Sequence, residues 1–153
     1  AVMTADFRGE IESGCFAIGR GRSLEVIQTQ RFPHSLGVFY ATFTELLGYQ
    51  PDSDEWKVMA LSAVDSDAEE LTADLSRTVR LNDGGSFELD QGFYTAALYD
   101  QPNLYSAKLV EMVGGRVGHP GETAGEWHCR VAKAMQAVAE EIAFHQLNAL
   151  HQL

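Results

Sequence analysis

The segment FPHSLGVFYATFTELLGYQPDSDEWKVMALS, from Phe32 to Ser62, is the part of the sequence that decides the fold. Its first half predicts an amphipathic helix, because apolar side chains recur every three or four residues between Leu36 and Leu47. Ser35 is suited to cap the start of this helix. Gly48 stands where a left-handed residue commonly ends one.

The second half of the segment predicts another helix, within EWKVMALSA, after a loop that contains Pro51. Asp52 or Ser53 is suited to cap it. Glu55 follows Asp52 by three residues, which resembles a reciprocal capping box. The two helices are therefore expected to be joined by one short polar turn.

The stretches AVMTADFRGEIES and SGCFAIGRGRSLEVIQTQRF precede this segment and predict three short antiparallel strands joined by glycine-containing turns. The last strand should end before Pro33, which has no N–H to donate to a ladder. Its apolar and polar residues alternate roughly, which predicts a half-buried sheet. The alternating residues are Leu24, Val26 and Ile27 against Glu25, Gln28 and Gln30.

The remaining sequence predicts mainly helices. AEELTADLSRTVRL predicts a helix, NDGGSFELD a tight turn and a strand, and QPNLYSAKLVEMVGG a short helix that ends at Gly114 and Gly115. RVGHPGETAG reads as a loop, and the longest helix should begin at Glu126. The expected fold class is α/β, with short antiparallel strands at the N-terminus followed mainly by helices, in a single domain over residues 1–153.

Composition excludes several classes of function. The chain has 153 residues and a formal net charge of −11, which argues against a nucleic-acid partner, because phosphate binding needs clustered Lys and Arg. No run of apolar residues is long enough to span a membrane, so we expect no membrane partner. Cys15 and Cys129 match no zinc or redox spacing, which predicts free thiols in the cytoplasm.

Generic catalytic motifs are missing from the sequence. It contains no P-loop, no G-x-S-x-G elbow and no H-E-x-x-H helix, and its five histidines form no pair at helical spacing. The acidic run from Asp65 to Glu70 could attract a divalent cation, although such runs are commonly a solvated helix start. These patterns identify no reaction.

The segment from Phe32 to Ser62 is more informative, because the order of its residues is characteristic of a family. It resembles a run in the carbamoyltransferase family, which includes nodulation and antibiotic-tailoring O-carbamoyltransferases. In that family a Phe-Pro-(His)-Ser-Leu-Gly-Leu helix leads through Gly-Phe to Glu-Tyr-Lys-Val-Met-Gly-Leu-Ala. The counterparts here are Phe32 to Gly37, Gly48-Tyr49, and Glu55 to Leu61.

The resemblance continues, in order, along nearly the whole chain. AVMTADFRGEIES resembles the family strand that ends in Asp-Gly-x-Gly-Glu, with Asp6, Gly9 and Glu10 retained. GSFELDQGFY is similar to the Gly-x-Phe-x-Leu strand, and GGRVGHPGE to the Gly-Pro-Pro-Arg-x-Pro loop. VAKAMQAVAEE is similar to the family's Ile-Ala-x-Ser-x-Gln helix, with Gln136 retained.

The resemblance implies both a fold and an activity. The family's catalytic domain is similar to the actin, sugar-kinase and Hsp70 group, whose RNase-H-like halves grip a nucleotide between them. Such enzymes use ATP and carbamoyl phosphate to make a carbamoyl-adenylate and then transfer the carbamoyl group to a hydroxyl of an acceptor alcohol. ATP and a divalent metal are therefore expected for the full family enzyme, and this chain is expected to form one RNase-H-like half-domain.

The resemblance also implies site residues. In the first hairpin, Asp6, Gly9 and Glu10 would approach phosphate, with Asp6 holding a metal or a metal-bound water. Lys57 would contact a phosphate or carbamoyl oxygen, and Glu55 would accept a ribose hydroxyl or orient that lysine. The alternative for these two residues is structural, with Lys57 solvated and its apolar neighbours in the core.

Three further positions are candidates for the site. Ala60 is small and would leave room for a ligand. Arg116, in the loop that resembles Gly-Pro-Pro-Arg, is either an anion-binding residue or a surface residue. His34 is either part of a site or a helix-entry residue that bonds to local backbone.

The chain also departs from the family pattern. Phe7 replaces the first glycine of Asp-Gly-x-Gly-Glu, and Ala60 replaces the glycine of Lys-Val-Met-Gly. Phe7 is bulky and would be energetically costly if the turn of the first hairpin required a positive φ at this position. The family's upstream His-rich segment and its adenosine loop have no counterpart here, so we expect the chain to be inactive alone.

Three hypotheses follow. The first is a segment of an ATP-dependent O-carbamoyltransferase. The second is a degenerate, non-catalytic α/β module that binds a small molecule or a partner. The third, disfavoured by the acidic charge, is a segment of a related threonylcarbamoyl-adenosine tRNA modifier. A homodimer that covers an exposed apolar face is a further possibility.

Overall fold

The computed structural model describes residues 1–98 and 101–153 and has the expected mixed α/β architecture. Strands β1 (Val2–Ala5), β2 (Glu12–Arg20) and β3 (Ser23–Arg31) form an antiparallel sheet in the order β1-β2-β3. Strands β4 (Val79–Leu81) and β5 (Phe87–Leu89) form an antiparallel pair. The helices are α1 (Leu36–Leu46), α2 (Glu55–Ser62), α3 (Glu69–Ser76), α4 (Ala107–Met112) and α5 (Glu126–His151).

The core is organised by α5, which packs against α1, α2 and α3. Its apolar stripe is fully buried at Met135 and Ile142. Three aromatic rings belong to the same core, and the centroids of Phe39, Phe43 and Tyr94 lie 5.1, 5.7 and 6.4 Å apart in pairs. Such tilted and edge-on arrangements suit aromatic packing and supply much of the buried apolar surface.

Helix α1 begins and ends as predicted. Ser35 caps its start, because the Oγ accepts the N–H of Val38 at 3.1 Å. The same hydroxyl donates to the backbone oxygen of Asp6 and so ties the first hairpin to the helix. Gly48 follows the helix end with φ of +84°, the conformation that favours glycine.

The helix predicted through AEELTADLSRTVRL is too long. It ends at Ser76, and Val79–Leu81 forms β4 instead. The reason is tertiary pairing with β5, in which Val79 lies opposite Leu89. Thr78 supports the break, because its hydroxyl donates to Leu75 O and is bonded to the buried Tyr94 hydroxyl at 2.6 Å.

The prediction of a half-buried β3 through its apolar residues is wrong. Leu24, Val26 and Ile27 are 61%, 53% and 42% exposed, whereas Gln28 and Gln30 are half-buried. A register shift explains this, since Phe16 pairs with Gln28 but the next residue of β2 pairs with Val26. The extra residue at this bulge changes which side chains face the protein.

The start of α2 also differs from its prediction in one respect. The residue at the cap position is Asp54, and its side chain does not cap the helix. The Oε1 of Glu55 nevertheless accepts the N–H of Asp52 at 2.7 Å, so half of the predicted reciprocal arrangement is present.

The outer edge of β5 is bonded to two side chains. Gln30 donates its Nε2 to Phe87 O at 2.7 Å and accepts the N–H of Phe87 on its Oε1 at 3.3 Å. Two residues along, the N–H of Leu89 donates to Nδ1 of His34 at 3.0 Å. The amide and the imidazole thus take the place that a neighbouring strand would fill, and they join the end of β3 and the start of α1 to β5.

His34 therefore has a structural role at the junction of β3, α1 and β5. The N–H of His34 donates to Arg31 O, which is the bond to local backbone that the sequence predicted. Its bond to Leu89 joins residues that are distant in sequence and was not predicted.

In the described residues, no helix is both long and apolar enough to cross a membrane. The homodimer stays a prediction, for which the exposed apolar residues of β3 are one surface.

Acidification should weaken the fold through His34. Burial lowers the pKa of His34 below its usual 6.5, against a smaller opposing effect of Glu88. Its Nδ1 must stay unprotonated to accept from Leu89, so this contribution is present above the unfolded pKa and is lost as the pH falls through the folded pKa. The variant His34→Asn keeps an acceptor but cannot titrate.

The measurement is urea unfolding of both proteins at about pH 8 and about pH 5. We expect similar stability at the higher pH and a smaller loss for His34→Asn at the lower pH. His34→Ala, the control that removes the acceptor, should cost about 1–3 kcal/mol even at the higher pH. Equal acid losses for the wild type and His34→Asn would contradict the role assigned to this nitrogen.

Candidate functional site

A cleft of about 670 Å³ lies between the end of α1, the start of α2 and the loop before α5. Its walls combine acidic, aromatic and backbone groups with one lysine. The lining residues are Glu45, Gly48, Tyr49, Gln50, Pro51, Asp54, Lys57, Tyr105 and residues 117–122. It is large enough for a small organic ligand.

The loop wall of this cleft is held by a close approach of two glycines. The N–H of Gly118 donates to Leu46 O at 2.9 Å. A Cβ on Gly118 would overlap the backbone of Leu47, and one on Gly48 would lie 2.6 Å from Gly118 C and from His119 N. The loop can pack against the end of α1 only because both positions are glycine and carry no Cβ.

Lys57 is on the opposite wall and is held by three neighbours. Its Nζ lies 2.8 Å from Oδ1 of Asp54, and it stands 5.9 Å and 5.6 Å from the ring centroids of Tyr49 and Trp56. The hydrogen bond from Lys57, with a second from the N–H of Gln50, lowers the pKa of Asp54. The ammonium is thus oriented at the cleft wall while 39% of the side chain remains exposed.

Arg116 lies beside the same loop, next to the residues that line the cleft. Its guanidinium forms an ion pair with Glu122 and stacks 4.8 Å from the ring centroid of Trp127. Glu122 also accepts the N–H of His119 at 3.1 Å, and this bond, followed by the nearby cations, lowers the pKa of Glu122. Arg116 is fixed by these contacts, and whether it binds an anion stays a prediction.

Glu55 lies outside the cleft, near a chain of polar side chains. Tyr40 donates its hydroxyl to Oε1 of Gln136 at 2.8 Å, and Gln136 donates to Oε1 of Glu140 at 2.9 Å. Burial raises the pKa of Tyr40 to about 12, and the charges of Glu55 and Glu140 add to this effect. Glu55 and Lys57 thus belong to different surfaces of α2, while Ala60 is exposed and does not line the cleft.

The first hairpin lies against the start of α1. Oδ1 of Asp6 accepts the N–H of Phe7 at 2.7 Å, and the N–H of Gly9 donates to Glu12 O at 2.9 Å. Neither Phe7 nor Gly9 has a positive φ, so the backbone cost considered for Phe7 does not arise. Gly9 is required for close approach instead, since a Cβ there would lie 2.5 Å from Glu12 O.

The hairpin and the Tyr40 chain share one face of α1. A Cβ on Gly37 would lie 2.5 Å from the Cα of Phe7, so the hairpin packs directly on this position. Tyr40 follows Gly37 by three residues and therefore lies one turn further along the same face. The structure does not gather the residues predicted for the site in one pocket: Lys57 lines the cleft, and Asp6, Gly9 and Glu10 lie at the hairpin, outside its lining residues.

Sequence reasoning missed several residues of these surfaces. Asp54 precedes Lys57 by three residues, a helical spacing that brings opposite charges together and could have identified the pair. Tyr49 and Glu122 lie in the segments that carried the resemblance, but nothing in their spacing indicates a cleft. Tyr40 and Gln136 are 96 residues apart in sequence, so only the packing of α1 on α5 unites them.

The described residues do not form a metal site by themselves. In the part of the chain that the structure describes, no three His, Cys, Asp or Glu side chains come together in a group that could hold an ion. The carboxylate of Asp6 stands without such companions and already accepts the N–H of Phe7. No step of the function proposed below involves a metal held by this chain.

One comparison with known proteins assigns a family. A sequence model described as carbamoyltransferase N-terminus matches residues 1–151. The chain is similar to the uncharacterized protein sll1178 of Synechocystis sp., at 24% identity over 152 residues, which are 99% of this chain and 24% of that protein. It is also similar to the uncharacterized protein MJ1051 of Methanocaldococcus jannaschii, at 39% identity over 66 residues, 43% of this chain and 13% of that protein. The chain thus spans less than a quarter of the length of these two relatives.

The glycine contact that holds the loop wall can be tested directly. Gly118→Ala should lower stability by about 1–3 kcal/mol, because the added methyl group must displace the backbone of Leu47. Thermal unfolding followed by circular dichroism measures this loss. Gly19→Ala is the matched control, because a Cβ at Gly19 meets no atom within 4 Å. Equal stability of the Gly118→Ala and Gly19→Ala variants would contradict the close approach.

Proposed function

The chain belongs to the carbamoyltransferase N-terminal family, and we propose on this premise that it contributes one wall of the ligand site of an O-carbamoyltransferase. The reaction proposed for the whole protein consumes carbamoyl phosphate, water and ATP and makes a carbamoyl-adenylate, with release of phosphate and pyrophosphate. The carbamoyl group is then transferred to a hydroxyl of an acceptor alcohol, with AMP as the leaving group. The family assignment supports the transferase class, and the cleft at Lys57 is the observation that supports a role in ligand binding.

Lys57 is proposed to bind a phosphate or carbamoyl oxygen. The ammonium is a point charge at the cleft wall, and the rings of Tyr49 and Trp56 restrict where it can move. The carboxylate of Asp54 pairs with the Lys57 ammonium at 2.8 Å. An anionic ligand therefore has to share the ammonium with Asp54 or displace that carboxylate. Asp54 therefore takes the orienting role that the sequence suggested for Glu55.

Glu55 is proposed to accept a hydrogen bond from a ligand hydroxyl, either of a ribose or of the acceptor. Its surroundings support this role, because Tyr40, Gln136 and Glu140 form a bonded polar chain beside it. The first hairpin lies one helical turn away on the same face of α1. A ligand bound along this face of α1 would contact residues of the first hairpin, of α2 and of α5, three segments that resemble the family.

The fold of the whole domain is proposed to be RNase-H-like, as in the actin, sugar-kinase and Hsp70 group. A three-stranded antiparallel sheet followed by helices is consistent with one half of such a domain. The chain covers 24% of the Synechocystis relative, so the rest of the site is proposed to come from other parts of a longer protein. This chain alone is then expected to bind a ligand without catalysing the transfer.

The second candidate function is a non-catalytic small-molecule or partner-binding module. One observation favours it: the N–H groups of Phe7 and Gly9 already donate within the hairpin, to Asp6 and Glu12. A phosphate at this turn would have to compete with both bonds. The hairpin of a degenerate module would keep them.

Calorimetric titration of ATP and of carbamoyl phosphate separates the two candidates. We expect at least one of them to bind in the micromolar range, and Lys57→Ala to weaken that binding about tenfold or more, the effect of losing one charged hydrogen bond. Lys108→Ala is the matched control, because it removes the same charge from α4. Equal affinities of the Lys57→Ala and Lys108→Ala variants would contradict the role of Lys57. Absence of binding to a longer, naturally extended protein would favour the non-catalytic module.

A further inference from the structure

A small cavity lies between the three-stranded sheet and α5. It is lined by Cys15, Phe16, residues 28–30 of β3, Gly85 and Gln146 of α5, and its volume is about 10 Å³. One water molecule needs roughly 10–15 Å³ of such space together with two to four polar partners. The cavity therefore suits a single water molecule and nothing larger.

Gln146 lines this cavity and carries an unpaired polar atom. The residue is only 4% exposed, and its Oε1 is buried without a hydrogen-bond partner among the described residues. Buried polar atoms in native proteins are almost always bonded, and an isolated one on a cavity wall indicates a bridging solvent molecule. Exchanging the oxygen and nitrogen of the amide would not remove the need, because a polar atom would occupy the same place.

The opposite wall supplies further partners. Gln28 and Gln30 belong to β3 and turn towards the protein because of the bulge in the β2–β3 register. Gln30 uses one N–H and its Oε1 on Phe87, which leaves its second N–H free to donate. Three glutamines thus line the same small space, where an apolar interface would have been expected between a sheet and a helix.

We propose that one structural water molecule occupies this cavity, donates a hydrogen bond to Oε1 of Gln146 and bonds to the amides of Gln28 and Gln30. The water links α5 to β3, and through Gln30 it continues to the outer edge of β5. It is part of the folded structure and independent of the proposed carbamoyl transfer.

The sign of a stability change tests this water. Gln146→Leu keeps a similar volume but removes the acceptor, so the water loses a partner and the melting temperature should fall by about 2–4 °C. If Oε1 were unpaired in solution, the same substitution would remove an uncompensated buried polar atom, and the melting temperature would rise or stay unchanged. Either of those results would overturn the proposal. Gln152→Leu, at an exposed position of the same chain end, is the matched control.

A direct measurement on the wild-type chain covers the case in which Gln146→Leu does not fold. A crystal structure at high resolution should show one solvent peak within about 2.7–3.2 Å of Oε1 of Gln146. The peak should also lie within hydrogen-bond distance of Gln28 or Gln30. A cavity without such a peak, or a Gln146 side chain bonded elsewhere, would overturn the proposal.

Discussion

The structure depends on the way the outer edge of β5 is bonded. A strand of three residues cannot hold its place by its own ladder, and the N–H groups of Phe87 and Leu89 need acceptors on the side away from β4. Gln30 and His34 provide them from either side of the turn that leads into α1. The same turn carries Ser35, which caps α1 and bonds to Asp6. The position of the hairpin, the direction of α1 and the attachment of the second sheet therefore follow from a few neighbouring residues.

The sequence predicted the parts of this fold that depend on local signals. The start and end of α1, the position of α5 and the three N-terminal strands follow from apolar spacing, a serine cap and glycine positions. The errors arose where distant contacts decide the outcome. Strand β4 exists because β5 pairs with it, and the bulge at Ile27 reverses the expected faces of β3. Neither pairing is visible in one strand's own pattern.

The candidate site was less predictable than the fold. A family model that covers residues 1–151 confirms the family resemblance, but the resemblance did not indicate which side chains meet. Glu55 and Lys57 are two residues apart and yet belong to different surfaces of α2. An α-helix turns by about 100° per residue, so side chains two positions apart point about 200° away from each other. Tyr40 and Gln136 are distant in sequence and directly bonded. Contacts of this kind depend on helix packing, and a single sequence carries little information about it.

The two tryptophans beside Lys57 and Arg116 have a practical consequence. Trp56 is 61% exposed and flanks the ammonium of Lys57 on one wall, whereas Trp127 lies under the guanidinium of Arg116 behind the other. Each indole therefore lies next to a cation. Under the role proposed for Lys57, an anion bound in the cleft would change the surroundings of Trp56, so intrinsic fluorescence is expected to follow occupancy of the cleft without any attached dye.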